Sequence, residues 1–223
     1  QTEDDDHFRP AEPIPGPTSI RLCELASELD IYIVASLFEK RAPGIYHNTA
    51  ILIAPGTAPG TAPGTVPGTP PVQCTSAGSQ IISAYRKMHI PHDPRFYEKY
   101  YFTPGDLDWQ APKTPFAVTG LLVCWDQWFP EAARLTALQG AQILFYPTAI
   151  AWSVDESESQ HLEQYDAWLT VQRAHAITNG VFGASINRVG VEGELRFWGS
   201  SFVAEPAGRN IAQADSSDEQ VLI

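Results

Sequence analysis

A cysteine stands at the end of an apolar run in the sequence Gly120-Leu-Leu-Val-Cys124-Trp-Asp-Gln-Trp-Phe-Pro130-Glu131. The run predicts a strand that ends at Cys124, and Pro130 is typical of the first position of a helix. A thiol at such a strand-to-helix elbow lies near a helix N-terminus, which favours the thiolate and lowers its pKa. The spacing therefore suggests a nucleophile, although on spacing alone a buried cysteine that acts as a small hydrophobic residue is the more common outcome.

A lysine just beyond a predicted strand, followed by a carboxylate eleven residues later, forms a second candidate: Lys87 and Glu98. A lysine held there can supply a fixed positive charge beside a developing oxyanion. His89 and His92 are alternative metal ligands in the same run. The intervening proline and the lack of a third ligand at usable spacing instead favour histidines that are satisfied by hydrogen bonds.

Two further interpretations concern the surroundings of Cys124. A Cys–His hydrolase would pair Cys124 with His89 or His175. Asp126 follows the cysteine closely, and we expect it to pair with Arg134 or to cap the following helix rather than to contact a substrate.

These side chains must be positioned by an α/β fold. Apolar residues recur at helical spacing in some segments, and β-branched and aromatic runs indicate strands in others. Strands flanked by helices predict layered sheets with the helices outside. The predicted helices are residues 18–29, 130–139 and 157–178; the predicted strands are residues 31–38, 46–53, 81–85, 117–124, 142–146, 181–186, 196–203 and 209–213, with turns at Val189-Gly190 and at residues 206–208.

A low-complexity segment interrupts this pattern at residues 54–79, where Pro-Gly-Thr recurs with a period of four residues. Such a composition can bury little apolar surface, and a four-residue unit is too short to form a repeat element. We therefore expect a flexible surface loop inserted into a single domain that spans residues 1–223.

Composition excludes some functions. The 223 residues carry 14 Lys and Arg against 26 Asp and Glu, a formal net charge of −12. This argues against a protein that mainly binds nucleic acid or anionic lipid, because both need clustered basic residues. Hydrophobic residues make up 43%, so we expect an ordered chain that is long enough to form one core without disulfides or metals.

The cysteines and the two ends also carry expectations. Three cysteines fit a reducing compartment better than a disulfide framework and predict at least one free thiol. The polar, acidic N-terminus and the lack of a long apolar window favour a cytoplasmic protein. Because the sequence starts with Gln1 and stops in the apolar run Val221–Ile223, which resembles an interrupted strand, we expect both ends to be truncated.

Several motifs together resemble the carbon–nitrogen hydrolases of the nitrilase superfamily, and within them the N-carbamoylputrescine amidase branch. The resemblance runs from Thr2 almost to Ile223, and its most specific part is the run after Cys124. The motifs are residues 38–44 (FEKRAPG), 46–50 (YHNTA), 85–91 (YRKMHIP), 101–106 (YFTPGD), 124–131 (CWDQWFPE) and 146–150 (YPTAI).

The resemblance implies a four-layer αββα sandwich, here incomplete at both termini, and a Glu–Lys–Cys triad. It makes Cys124 the nucleophile, Lys87 the cation that stabilises the tetrahedral intermediate, and Glu98 the second glutamate that orients the lysine and the leaving group. The backbone N–H of Trp125 would complete the oxyanion hole. No cofactor is implied; the expected partners are a small carbamoyl amine substrate and other copies of the chain in a homo-oligomer.

The general-base glutamate of the family belongs to an N-terminal strand upstream of this sequence. Glu3, Glu12 and Glu39 are nearby acids, but none stands where the motif requires it, and Glu39 is better interpreted as a strand-end charge. Without a base the rate would fall by a factor on the order of 10²–10⁴. A catalytically inactive fragment or pseudoenzyme that serves as an interaction subunit is therefore the alternative function.

The activity implied by the resemblance is hydrolysis of N-carbamoylputrescine to putrescine, ammonia and carbon dioxide in polyamine synthesis, through a cysteine thioester. The ammonium group of such a substrate needs a carboxylate or an aromatic face. Asp93, Tyr97 and Trp152 flank the catalytic segments and are the candidate substrate-binding residues, although each is equally compatible with a surface or packing role.

Overall fold

The computed structural model describes residues 3–56, 72–74 and 78–223. Its helices are interspersed among groups of consecutive strands. The helices are α1 (Pro17–Leu29), α2 (Glu98–Tyr101), α3 (Pro130–Leu138) and α4 (Glu158–Asn179), with 3-10 helices at Asp5–Phe8 and Cys124–Trp128. The strands are β1 (Ile33–Ala42), β2 (Ile45–Ala54), β3 (Val72–Gln73), β4 (Gln80–Arg86), β5 (Thr119–Leu121), β6 (Ile143–Thr148), β7 (Ala151–Ser153), β8 (Phe182–Asn187), β9 (Val189–Glu192), β10 (Leu195–Trp198), β11 (Phe202–Ala204) and β12 (Asn210–Gln213).

The first sheet has the antiparallel strand order β1-β2-β4-β3. Helix α1 covers its outer face, because Cys23 and Ala26 on the helix are fully buried against Ile51, Ile53 and Ile81. Alternate residues of a strand point to opposite faces, so the intervening residues of β2 face the second sheet. The first helix and this sheet form two layers of the fold.

The second sheet has the order β12-β11-β8-β6-β5, in which β5, β6 and β8 are parallel and the remaining pairs are antiparallel. Helices α3 and α4 cover its outer face. Gly120 permits a close approach there, since a Cβ at this position would lie 2.4 Å from Thr136 Cγ2. A separate small sheet, β7-β10-β9, extends beyond the sandwich.

The main core lies between the two sheets. Leu52 and Ile82 from the first sheet and Leu121, Leu144 and Tyr146 from the second are almost completely buried in one cluster. Helix, sheet, sheet and helix therefore follow one another in space, which confirms the four-layer αββα sandwich.

Most predicted elements are confirmed within a few residues, but the predicted strand at 196–203 and the turn at Val189-Gly190 are wrong. Residues 196–203 are divided between strands β10 and β11, which belong to different sheets. Between them Gly199 and Ser200 have φ values of +54° and +53°, a left-handed backbone that ends a strand. Val189-Gly190 begins β9.

The predicted loop at 54–79 lies largely outside the described residues. In its described part, Val72 and Gln73 pair with Ile81 and Gln80 as an edge strand, so the loop prediction is wrong there. Cys74, which follows, forms a disulfide with Cys23. This corrects the expectation that the cysteines make no disulfide, whereas the predicted free thiol is confirmed at Cys124.

The C-terminal run does not form the strand that its composition suggested. Val221, Leu222 and Ile223 are exposed and lie outside any strand. Within the described ranges, no helix combines the length and the apolar content that crossing a bilayer requires.

The tight packing of Gly120 gives a first prediction. We expect Gly120→Ala to lower the free energy of unfolding by about 1–3 kcal/mol, because the new methyl group overlaps side chains of α3 and β6. Urea denaturation measures this change. Gly183→Ala is the matched control, since its Cβ would have Gln172 O at 4.0 Å as its nearest described neighbour. Equal effects of the two substitutions would contradict the prediction.

Candidate active site

Cys124 lies at a sharp turn behind the second sheet's edge strand. Strand β5 ends at Leu121, earlier than predicted, and the 3-10 helix that begins at Cys124 occupies the predicted turn. Cys124 has a φ of +44°, a left-handed conformation that costs a non-glycine residue free energy. Such strain is common at functional sites, where the surrounding structure holds a side chain in a defined direction.

Lys87 is held just beyond β4 by its own backbone. Its N–H donates to Asn48 O at 2.8 Å, and its carbonyl accepts from Gly105 N at 2.8 Å. The side chain is fully buried, and its Nζ donates to Glu98 Oε2 at 2.6 Å. Because a buried cation without a partner is strongly unfavourable, the ion pair with Glu98 stabilises Lys87 in this position.

Glu98 is placed by the short helix α2, which it begins, and it is only 6% exposed. The structure therefore brings together the three candidate catalytic residues of this sequence, which are the predicted nucleophile, the lysine and the second glutamate. Lys87 and Glu98 form a direct contact, and both act electrostatically on Cys124.

The pKa values follow from burial and from this charge pair. Burial raises the pKa of the Cys124 thiol above its usual range, Lys87 opposes that rise, and Glu98 adds to it. The lowered thiol pKa expected from a helix N-terminus is therefore wrong, because desolvation outweighs the favourable charge. Burial disfavours the Lys87 cation, but the Cys124 thiolate and Glu98 together raise its pKa above the usual value. Lys87 consequently remains charged.

Asp126 joins the two segments that carry Cys124 and Lys87. This fully buried carboxylate accepts hydrogen bonds from Val123 N at 3.0 Å, Tyr85 Oη at 2.9 Å, His89 N at 3.1 Å and His89 Nδ1 at 2.7 Å. It makes no bond to Arg134, which instead donates to Thr178 O. These contacts agree with the structural role expected for Asp126. Neither predicted form of that role, the pairing with Arg134 or the cap of the following helix, is present. Asp126 is instead a hub, an acceptor that several buried donors share.

The histidines take structural positions. His89 binds Asp126 and stacks on Phe129 with ring centroids 3.7 Å apart. His175 lies within hydrogen-bond distance of Tyr146 Oη at 3.3 Å, and burial lowers its pKa to about 4. His92 is exposed. Among the described residues, no group of three or more His, Cys, Asp or Glu side chains is arranged to hold a metal ion.

The remaining acids also have assignable positions. Glu39 is buried, accepts from Thr49 Oγ1 at 2.6 Å and binds Arg86 Nη2 at 2.6 Å. Its interpretation as a strand-end charge is wrong, because β1 continues past it to Ala42. Glu12 accepts from Thr18 N near the start of α1. Glu3 is exposed.

One cavity is lined by the nucleophile candidate, and a second is lined by the residue that follows it in sequence. The first, of about 460 Å³, is lined by Cys124 and Glu98 together with Asn48, Asn187 and Arg188. These last three residues were not predicted from the sequence. The signal for Asn187 and Arg188 was available, because Asn187 ends the strand β8 and Arg188 follows it, whereas Asn48 reaches the cavity only through the packing of β2.

The second cavity, of about 450 Å³, begins at Trp125, the residue after Cys124. Asp93, one of the predicted substrate-binding residues, lines it. Tyr97 and Trp152 are not among the described residues that line either cavity. Trp152 instead donates from Nε1 to His161 O at 3.1 Å and packs on Trp198.

Comparison with known proteins places the chain in a family. Residues 2–223 match the carbon-nitrogen hydrolase family. The chain is 39% identical over 232 residues to an N-carbamoylputrescine amidase of Solanum lycopersicum, covering 100% of this chain and 69% of that protein. It is 36% identical over 205 residues to a citrullinase of Francisella tularensis, covering 89% of this chain and 62% of that protein.

A solved structure gives the same result in three dimensions. The fold is similar to a carbon-nitrogen hydrolase from Helicobacter pylori G27 with a TM-score of 0.84 and 41% sequence identity. The match covers 98% of this chain and 70% of that one. The architecture and the sequence motifs therefore agree on one family.

The electrostatic role of Lys87 gives a second prediction. Lys87→Met should raise the pKa of the Cys124 thiol, because it removes the charge that opposes the effect of burial. Below that pKa, each unit of rise lowers the thiolate fraction about tenfold, so alkylation by iodoacetamide slows accordingly. Cys124 is the free cysteine, which makes the rate specific to this site.

Two variants control this experiment. Lys99→Met removes an exposed lysine from the same segment and should leave the alkylation rate unchanged. In the Lys87→Met variant, Glu98 is left as a buried carboxylate without its partner. Adding Glu98→Gln removes this charge, so the double variant should fold. Its alkylation should still be slower than that of the parent chain. An unchanged rate in a folded Lys87→Met variant would disprove the assigned role.

The contacts of Asp126 give a third prediction. Asp126→Ala should lower the free energy of unfolding by about 2–4 kcal/mol, because several buried donors lose their acceptor together. Tyr85→Phe removes one of these bonds and should cost about 1–2 kcal/mol. Asp108→Ala removes an exposed aspartate and serves as the control in the same urea titration. A cost for Asp126→Ala no larger than that of the control would refute the hub.

Proposed function

This chain belongs to the carbon–nitrogen hydrolase family, and we propose that it cleaves the ureido C–N bond of N-carbamoylputrescine. The products are putrescine, ammonia and carbon dioxide. The observation that carries the proposal is the buried Lys87–Glu98 pair that acts on Cys124 beside an open cavity. The similarity to amidases of that name supports the choice of substrate.

In the first step, the Cys124 sulfur attacks the ureido carbonyl carbon. The carbonyl π electrons move to the oxygen, where Lys87 Nζ and the backbone N–H of Trp125 are proposed to stabilise the negative charge. Collapse of this intermediate breaks the C–NH2 bond, and the amino group takes up the proton that the base received from the thiol and leaves as ammonia. A carbamoyl thioester on Cys124 remains.

In the second step, water attacks the thioester carbon and the Cys124 sulfur leaves. The product is the N-carboxylated amine, which loses carbon dioxide to give putrescine. Glu98 holds the Lys87 cation in place during both steps and orients the leaving ammonia. Both steps need a base that first accepts the thiol proton and then activates water.

The proposal assigns the base to a glutamate upstream of Gln1, as the resemblance implies. Among the described acids, Glu39 is committed to Arg86 and Thr49, and Glu98 to Lys87. A test of the proposal must therefore compare the 223-residue chain with a version extended at its N-terminus.

The fourth prediction concerns ammonia release from N-carbamoylputrescine. A chain extended to include the upstream strand should release ammonia, and the unextended chain should be slower by a factor on the order of 10²–10⁴. A coupled glutamate dehydrogenase assay measures the rate.

Cys124→Ala should abolish the activity of the extended chain, and Lys99→Met should leave it unchanged. A folded extended chain that releases no ammonia would refute the proposal and favour the alternative, a non-catalytic subunit of the same fold.

A further inference from the structure

The second cavity has aromatic walls. Phe96, Trp125, Trp128 and Trp198 line it together with aliphatic side chains, and Trp125 directly follows the nucleophile candidate Cys124 in sequence. Aromatic faces attract cations through their negative quadrupole, and indole does so most strongly. The walls of this cavity therefore suit an apolar chain with a cationic end.

Two carboxylates line the same cavity. Asp93 has no side-chain hydrogen bond or ion pair with any described residue, so its charge is available to a ligand. Glu156 is fixed in direction, because its carboxylate accepts from Ser153 N at 2.9 Å and from Gln164 Nε2 at 2.8 Å. One unpaired and one hydrogen-bonded carboxylate therefore line the same cavity.

Arg95 also lines the cavity but does not cancel this negative charge. Its guanidinium binds Asp155 Oδ2 at 2.6 Å and Glu194 Oε2 at 2.8 Å. Arg95, Asp155 and Glu194 together carry a net negative charge. Asp93 and Glu156 add to this negative charge. The electrostatic potential at the cavity therefore favours cations.

We propose that this cavity is the subsite for the alkylammonium end of the substrate, with Asp93 and Glu156 as its charge partners. This inference rests on the proposed function and adds the specificity-determining residues. The aromatic walls surround the methylene chain and the carboxylates bind the ammonium group. Citrulline carries a carboxylate beside its ammonium group at this end, and this carboxylate meets repulsion from the same two side chains.

The fifth prediction compares two ligands that differ only in the ammonium group, N-carbamoylputrescine and n-butylurea. Calorimetry on the Cys124→Ala chain measures binding without turnover. The ammonium compound should bind at least about tenfold more tightly, and Asp93→Asn or Glu156→Gln should reduce that ratio about three- to tenfold. Binding of n-butylurea should change less than about twofold in either variant.

Glu163→Gln is the matched control, because it removes one exposed carboxylate of α4 that does not line the cavity. It should leave the ratio of the two affinities unchanged. The subsite would be overturned if the preference for N-carbamoylputrescine over n-butylurea were unchanged in both Asp93→Asn and Glu156→Gln. It would also be overturned if Glu163→Gln reduced this preference as much as those two variants do. Tighter binding of citrulline than of N-carbamoylputrescine would overturn it as well.

The outcomes also separate this inference from the proposed function. An extended chain that hydrolyses both ureido compounds equally well, with no effect of the two variants, keeps the hydrolase and rejects the subsite. A chain that binds the ammonium compound preferentially through Asp93 and Glu156, yet releases no ammonia, keeps the subsite and rejects the hydrolase.

Discussion

The buried ion pair between Lys87 and Glu98 is the interaction on which the site depends. A fully buried cation is tolerated only with a close counter-charge, and here the 2.6 Å bond to Glu98 provides one. The pair fixes the end of β4 to the start of α2. It also keeps a positive charge beside Cys124, which partly offsets the rise in the pKa of the thiol that burial causes.

The second organising contact is the Asp126 carboxylate. It lies two residues after Cys124 and binds Tyr85 and His89, which flank Lys87 in sequence. The nucleophile segment of one sheet is thereby connected to the lysine segment of the other. The two segments belong to different layers of the sandwich, and the hydrogen bonds of Asp126 hold them together. Cys124 has its left-handed backbone conformation at this junction.

Local patterns predicted the elements that depend on local interactions. Helix Pro17–Leu29 has an apolar stripe at helical spacing, and it forms as predicted. The segment 196–203 also looked like one strand, but a left-handed backbone at Gly199-Ser200 divides it between two sheets. The path of the chain at Gly199-Ser200 depends on which strands pair with the residues before and after it. An apolar run in the sequence does not specify these partner strands.

Residue types and their spacing were enough to identify the family, the layered α/β class and the three residues Cys124, Lys87 and Glu98, because motifs and periodicity are local properties of the chain. The raised thiol pKa, the partners of Asp126 and the cavity with its acidic and aromatic lining emerged only in three dimensions. Each of these results from burial or from contacts between residues far apart in the chain. Desolvation and long-range pairing arise when the layers pack together, so neighbouring residue types do not specify them.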